Sequence, residues 1–372
     1  MLTKLFSGDL PRSRALTAML IVIFIGLVLT PFVFPGTRSL NVAAKVAVFV
    51  LLVASYDLLL GYTGIVSFAH TMFFGIGGYG VGIAMAELGP TWDSLALGIA
   101  LALAVSALLA MAIGLLSLRV QAIFFSMITL AVASFFQILA SQLSDFTGGE
   151  DGLNFKLPAL LQPGTKLLDK LLFGVEVNGR LLAYYIVFFA ALALFLVLLR
   201  VVNSPFGRVL LSIRENAFRA EALGYRTVVF RTVANCLAAV MATAAGVLYA
   251  IWLRYTGPDT TLSFNIMIDI LLMVVIGGMG TMYGSVIGAT LFVVAQNYLQ
   301  DLMKIASDAV SGVPLLPNLL HPDRWLLWLG VLFIICVYSF PWGIVGRLRA
   351  GGGRGPQRIR KRSIAKARTR QG

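Results

Sequence analysis

The residues able to do chemistry are few, and they stand among apolar neighbours. Asp57 and Asp269 are the two carboxylates in or beside long apolar runs, and His70 follows Ser67 in another run. A carboxylate at membrane depth is costly, so it must face protein or water. Each aspartate therefore reads either as an internally bonded structural group or as a lining of a solute route, where it would meet an ammonium; proton relay is a third use. His70 reads as a neutral, hydrogen-bonded histidine or as a gate. The two aspartates have no spacing suited to a hydrolytic pair. No metal-ligand spacing and no nucleophile elbow is visible. Cys236 and Cys336 lie inside apolar runs and read as small buried hydrophobes.

Glycine supplies the other patterns. Gly75-Ile-Gly-Gly-Tyr-Gly80 has the Gly-x-Gly-x-x-Gly form, but a dinucleotide site needs a strand before it and an acidic residue about 20 positions on. This stretch lies within an apolar run, so no cofactor is expected. Its glycines, with Gly64 before them, read as sites of close helix approach or helix breaking. Gly277 and Gly278 read the same way, as do Gly280, Gly284 and Gly288 at four-residue intervals. Gly64, Ser67, His70, Gly75, Gly77, Gly277, Gly278 and the two aspartates are the candidate lining of a translocation pathway.

The elements that must position these residues follow from composition. Of 372 residues, 59% are hydrophobic and 12% charged, and mean hydropathy is +0.91. Soluble domains are nearer about 45–50% apolar and about 25% charged. A water-soluble enzyme, a disordered chain and a disulfide scaffold are excluded. Apolar runs at Ala15–Thr37, Val46–Ala86, Ser94–Leu118, Val120–Ser144, Leu181–Leu199, Thr232–Leu253, Ile270–Gln300 and Trp325–Gly346 divide into ten spans of about 20 residues. The fold expected is an all-α polytopic membrane protein. Its two glycine-rich regions fall in spans three and eight, which run in opposite directions, so an inverted repeat with broken helices is expected. The first run is too long for a signal-peptide core and is read as retained.

The net charge of +13 is unevenly placed, with ten of the 29 basic residues between Arg347 and Arg370. With both termini cytoplasmic, 20 Lys and Arg lie inside and nine outside, as the positive-inside rule requires. The tail is a topology anchor or lipid contact rather than a nucleic-acid arm. The layout is thus an N-terminal segment 1–14, a membrane domain 15–346 with an outer loop 145–180 and a cytoplasmic loop 201–231, and a basic disordered tail 347–372.

The cytoplasmic loop is the most patterned stretch. Ser204 is a suitable N-cap, Pro205 fits the first helical position and Gly224 the end. One helix is expected from Pro205 to Leu223. Phe206, Leu210, Ile213, Ala217 and Ala220 make an apolar stripe, and Glu215 pairs with Arg219 four residues on.

Three motifs carry a resemblance. Ser204-Pro-Phe-Gly-Arg208 followed by Ile213-Arg-Glu-Asn216 and Ala220-Glu-Ala-Leu-Gly-Tyr225 resembles the coupling segment of permeases in high-affinity branched-chain amino-acid ABC importers. The stretches Gly61–Tyr79 and Val274–Ala289 are similar to that family's glycine-rich signatures. The likeness covers about residues 40–345, and length and outer loop favour the larger of the two permeases. It implies a second, homologous or identical permease subunit, two cytoplasmic ATP-binding subunits, an outer substrate-binding protein and a bacterial inner membrane. It also implies that Pro205, Arg208, Ile213, Arg214, Glu215, Asn216, Ala217, Glu221 and Gly224 couple the chain to its ATPase. The chain itself has no Gly-x-x-x-x-Gly-Lys-Ser/Thr loop, so ATP would be handled by partners. The alternatives are a permease for urea, amides or small acids, and an ion-coupled secondary transporter working through Asp57 and Asp269.

Overall fold

The computed structural model describes residues 13–34, 36–117, 122–166, 177–309, 321–340 and 343–351. The start of the N-terminal segment, Arg119 and the basic tail beyond Gly351 lie outside the described residues. Each of the ten expected spans contains a helix. In chain order these are α1 (Arg14–Val33), α2 (Thr37–Asp57, prolonged by a π-helical turn Leu58–Thr63), α3 (His70–Glu87), α4 (Trp92–Ser117), α5 (Ala122–Gln142) and α6 (Gly179–Val202). Two short helices follow, α7 (Pro205–Glu215) and α8 (Ala217–Ala222). Then come α9 (Thr227–Leu253), α10 (Phe264–Gly277), α11 (Met282–Ala309), α12 (Trp325–Ser339) and α13 (Gly343–Gly351).

Eight helical segments are long and apolar enough to cross a bilayer. The two expected spans that are not among them are α3, diluted by glycines between Gly75 and Gly82, and α11, which carries Gln296, Asn297, Asp301 and Lys304. The molecule is an all-α, multi-pass membrane protein. Helix α2 is its centre: 89% of its apolar window is enclosed by protein, against 11% for α1. It packs on α6, α9, α10 and α11.

Cross-helix bonds fix the chain direction. Arg38 to Asp301 (2.7 Å) and Lys45 to Gln296 (2.9 Å) set α2 antiparallel to α11. Asn235 to the Ala110 carbonyl and Thr243 to Ser106 set α9 antiparallel to α4. Tyr184 and Tyr185 donate to the Leu27 and Val28 carbonyls, setting α6 against α1. Two pairs of membrane helices, α2 with α11 and α4 with α9, thus run in opposite directions. At the rim bearing Arg38, a two-residue ladder pairs Leu153 with Thr256 and Asn154 with Tyr255. The opposite rim carries the π-helical turn, α7 and the turn between α10 and α11.

Several boundaries differ from the charge-free runs. Helix α2 begins at Thr37 rather than near Val46, and takes in Arg38 and Lys45 because each cation has a partner on α11. Helix α10 begins at Phe264 and takes in Asp269, which accepts from Gln296 at 3.3 Å. Paired charges can continue a buried helix; a charge count alone ends it too soon.

Glycine packing gives a test of this arrangement. A Cβ on Gly246 of α9 would collide with the backbone of Phe74 on α3, whereas one on Gly26 of α1 meets nothing within 4 Å. Gly246→Leu should therefore cost about 1–3 kcal/mol or more by overpacking, and Gly26→Leu less than about 0.5 kcal/mol. Thermal melts of the purified protein in detergent should show the first variant well below, and the second level with, the parent.

Candidate functional site

Helix α7 starts where sequence places it. Pro205 occupies its first position, and Ser204 stands at the N-cap with its hydroxyl turned back to the Val201 carbonyl at 2.6 Å. The expected single helix to Leu223 is interrupted, however. Asn216 is extended (φ −160°, ψ 98°), ends α7 and caps α8 by accepting from the Arg219 amide at 2.9 Å. A short polar side chain that bonds the backbone ahead competes with helix continuation. Glu215 and Arg219 therefore lie on different helices, and their expected i,i+4 pairing is lost. Gly224 closes α8 with φ +89°. The Tyr225 amide donates to Ala220 and the Gly224 amide to Glu221, the paired bonds of a Schellman end. Glu221 also accepts from the Thr227 hydroxyl, tying α8 to the start of α9.

The apolar stripe faces the protein's own body. Leu210, Ile213 and Ala220 are buried, and Phe206 stacks on Phe230 of α9 at 5.7 Å. Ala217 is half-buried. The outward surface carries Arg208, Leu211, Glu215, Arg219, Phe218 (83% exposed) and Leu223 (72% exposed). Sequence reasoning missed Phe218. The available signal was an aromatic residue set beside the polar face of an amphipathic pattern.

Arg214 is exposed, yet it also reaches back to the membrane helices. Its guanidinium donates to the Gly61 carbonyl in the π-helical turn after α2. This meets a second contact: the Gly280 amide, in the turn between α10 and α11, donates to Asp57 Oδ1 at 2.8 Å. Asp57 is 1% exposed. A Cβ on Gly61 would strike both the Asp57 carboxylate and the Gly280 amide. Gly278 (φ +115°) and Gly280 (φ +78°) make the turn. Gly277 lies so close to Gly284 that a side chain there would meet backbone. One junction thus joins α2, the α10–α11 hairpin and α7, with Arg214 adding positive charge beside a buried carboxylate.

The remaining expected residues separate into three groups. Gly64 (φ +74°) ends the π-helical turn near Arg214. Ser67 Oγ accepts from the Ala69 amide at 3.4 Å as α3 begins. His70 is buried, 3.3 Å from Ser55 Oγ, with its ring edge-on to Tyr56 at 5.0 Å. Gly75 packs on Leu262 and Gly77 on the Thr243 backbone, away from the junction. Asp269 lies elsewhere again, bonded through Gln296 to Lys45. Lys45 and Gln296 were not foreseen, because a lone cation near an apolar run was read as its boundary. Among the described residues no group of three or more His, Cys, Asp or Glu gathers as a metal site would need.

Comparison with known proteins gives a family. Residues 38–337 match the family described as the permease component of branched-chain amino acid transport systems. A high-affinity branched-chain amino acid transport system permease protein LivM of Salmonella typhimurium is 24% identical over 303 residues, covering 77% of this chain and 70% of that protein. Its Escherichia coli counterpart is 24% identical over 306 residues with the same coverage. A probable branched-chain amino acid transport permease protein LivM of Methanocaldococcus jannaschii is 29% identical over 172 residues, 46% of this chain and 48% of that one. No solved structure matches.

The junction and the helix break each yield a test. Asp57→Ala leaves the Gly280 amide without an acceptor, at a cost of about 1–3 kcal/mol, while Asp57→Asn keeps an acceptor oxygen. The Ala variant should melt clearly below the Asn variant in detergent. Proline at Leu211, inside α7, should cost about 3 kcal/mol or more. Proline at Ala217 should be tolerated, because it would occupy the first position of α8 after an extended residue. Equal melting of those two proline variants would contradict the break at Asn216.

Proposed function

We propose, from the premise that the chain belongs to the family of branched-chain amino acid transport permease components, that it is the membrane subunit of an ATP-driven importer. Its solute is small and polar, with branched-chain amino acids first in line, received from an outer binding protein. Two cytoplasmic ATPase subunits supply the energy, and a second permease subunit completes the membrane part. The setting is a bacterial inner membrane, with both termini cytoplasmic and this chain as the larger permease.

The observation that carries this reading is the two-sidedness of α7 and α8. Their buried face is built into the membrane helices, and their outer face presents Phe218 and Leu223 with a charged rim of Arg208, Glu215 and Arg219. Exposed aromatic anchors contribute most of the affinity in a docking surface, and rim charges set orientation. In this mechanism the ATPase holds Phe218, and nucleotide-driven closure moves α7. Arg214 then transmits the displacement to Gly61 and, through Asp57, to the α10–α11 hairpin. A rigid transmission is needed because a floppy loop would absorb the motion. Gly64, Ser67 and the hairpin glycines Gly277 and Gly278 lie next to the moving junction, where the route opens or closes. The loop after α5, stitched by Leu153 to Thr256, lies at the opposite rim and receives the binding protein.

The test is Phe218→Asp in the intact importer. An isolated charge on the docking face should cut uptake of radiolabelled leucine at least about tenfold, corresponding to about 1.4 kcal/mol. It should also reduce recovery of the ATPase with the solubilised permease, while the amount of chain in the membrane stays unchanged. Wild-type uptake and wild-type ATPase recovery in this variant would overturn the coupling role and bring the secondary-transporter reading forward.

A further inference from the structure

Lys45, Gln296 and Asp269 form a row at membrane depth that neither α7 nor the hairpin junction uses. Lys45 lies on α2, one turn further in than Asn41, which holds Arg180 at the rim. Its Nζ donates to Gln296 Oε1 at 2.9 Å, and Gln296 Nε2 donates to Asp269 Oδ2 at 3.3 Å. The ammonium also stands 5.4 Å from the centre of the Phe49 ring. All three residues are half-buried, so part of each faces away from the subunit's core.

The two charges do not meet. Among the described residues the ion pairs within 4 Å are Arg38–Asp301 and His321–Asp323. A pair present only to neutralise itself in a membrane gains most from direct contact. Here an amide holds the ammonium and the carboxylate apart. An ammonium has three donors and a carboxylate several acceptor sites, and among the described residues each group makes one hydrogen bond, to Gln296. Both charges thus keep bonding capacity, with opposite sign, side by side.

We propose that this row is a subsite for a zwitterion, in which Lys45 takes the ligand's carboxylate, Asp269 takes its ammonium, and Gln296 sets their separation. The inference rests on the permease reading above and narrows its solute: an amide or a simple carboxylic acid would leave one of the two charges unanswered. Binding a solute by two opposite charges also lets it leave, since the row can close on itself through Gln296 once the ligand has gone.

The test uses the complete importer and initial rates of leucine uptake at saturating concentration. Lys45→Met and Asp269→Asn should each lower the rate about tenfold or more, with normal amounts of assembled complex in the membrane. Lys45→Arg, which keeps the charge, should stay within about threefold of the parent. The deciding variant is Lys45→Met with Asp269→Asn together. It leaves no uncompensated charge, so a purely structural pair would recover normal uptake, whereas a ligand subsite stays impaired. Recovery overturns the proposal. If the parent importer carries some solute other than leucine, the substrate part of the functional reading fails separately. The subsite then stands if that solute is a zwitterion lost in the double variant, and falls if it is neutral or singly charged.

Discussion

The Gly280 amide needs a hydrogen-bond acceptor where a turn between two helices meets the membrane domain, and Asp57 provides it. An unbonded amide in such surroundings costs far more than an ordinary hydrogen bond returns. Much else follows from meeting that need. The carboxylate must be buried at the end of α2, so residue 61 must be glycine to let the hairpin backbone reach it. The π-helical turn leaves the Gly61 carbonyl free to accept from Arg214. Three parts of the chain that are remote in sequence are thereby held as one body.

The rest of the membrane domain is held by small residues and short hydrogen bonds rather than by apolar attraction, which lipid does not provide between helices. Gly77 and Gly246 bring α3 and α9 to backbone contact. Ser106 and Thr243, buried between α4 and α9, bond to each other. The α10–α11 hairpin repeats the device, with Gly277 against Gly284 and Gly288 against Met273. Glycines at four-residue intervals therefore mark where helices meet. They do not by themselves mark where solute passes.

Much of this was legible in the residues. Eight apolar runs became ten long helices, Pro205 opened α7, and Gly224 closed α8, because hydrocarbon length, proline's fixed φ and glycine's left-handed turn act locally. What was not legible depended on distant partners. Lys45 was read as the edge of a run, since nothing nearby in sequence announces Gln296. The bond from Arg214 to Gly61 was not foreseen, since its acceptor is a carbonyl 153 residues away. The break at Asn216 had a local cause, but the surrounding helix-favouring residues masked it. Phe218, 83% exposed, had a signal in its place beside the polar face, but an aromatic residue in a membrane protein reads first as lipid- or core-facing.

The short ladder between Leu153 and Thr256 bears on how the protein is made. The Tyr255 hydroxyl reaches the Asp151 carbonyl across 104 residues. A ribosome delivers Asp151 long before Tyr255, at about 5–20 residues per second. For several seconds, then, the segment after α5 must wait with its strand edge unpaired, while α6 to α9 are threaded into the bilayer. Closure of that edge can occur only when the upper end of α9 arrives, so the ladder records the moment at which nascent membrane insertion gives way to assembly of the finished bundle.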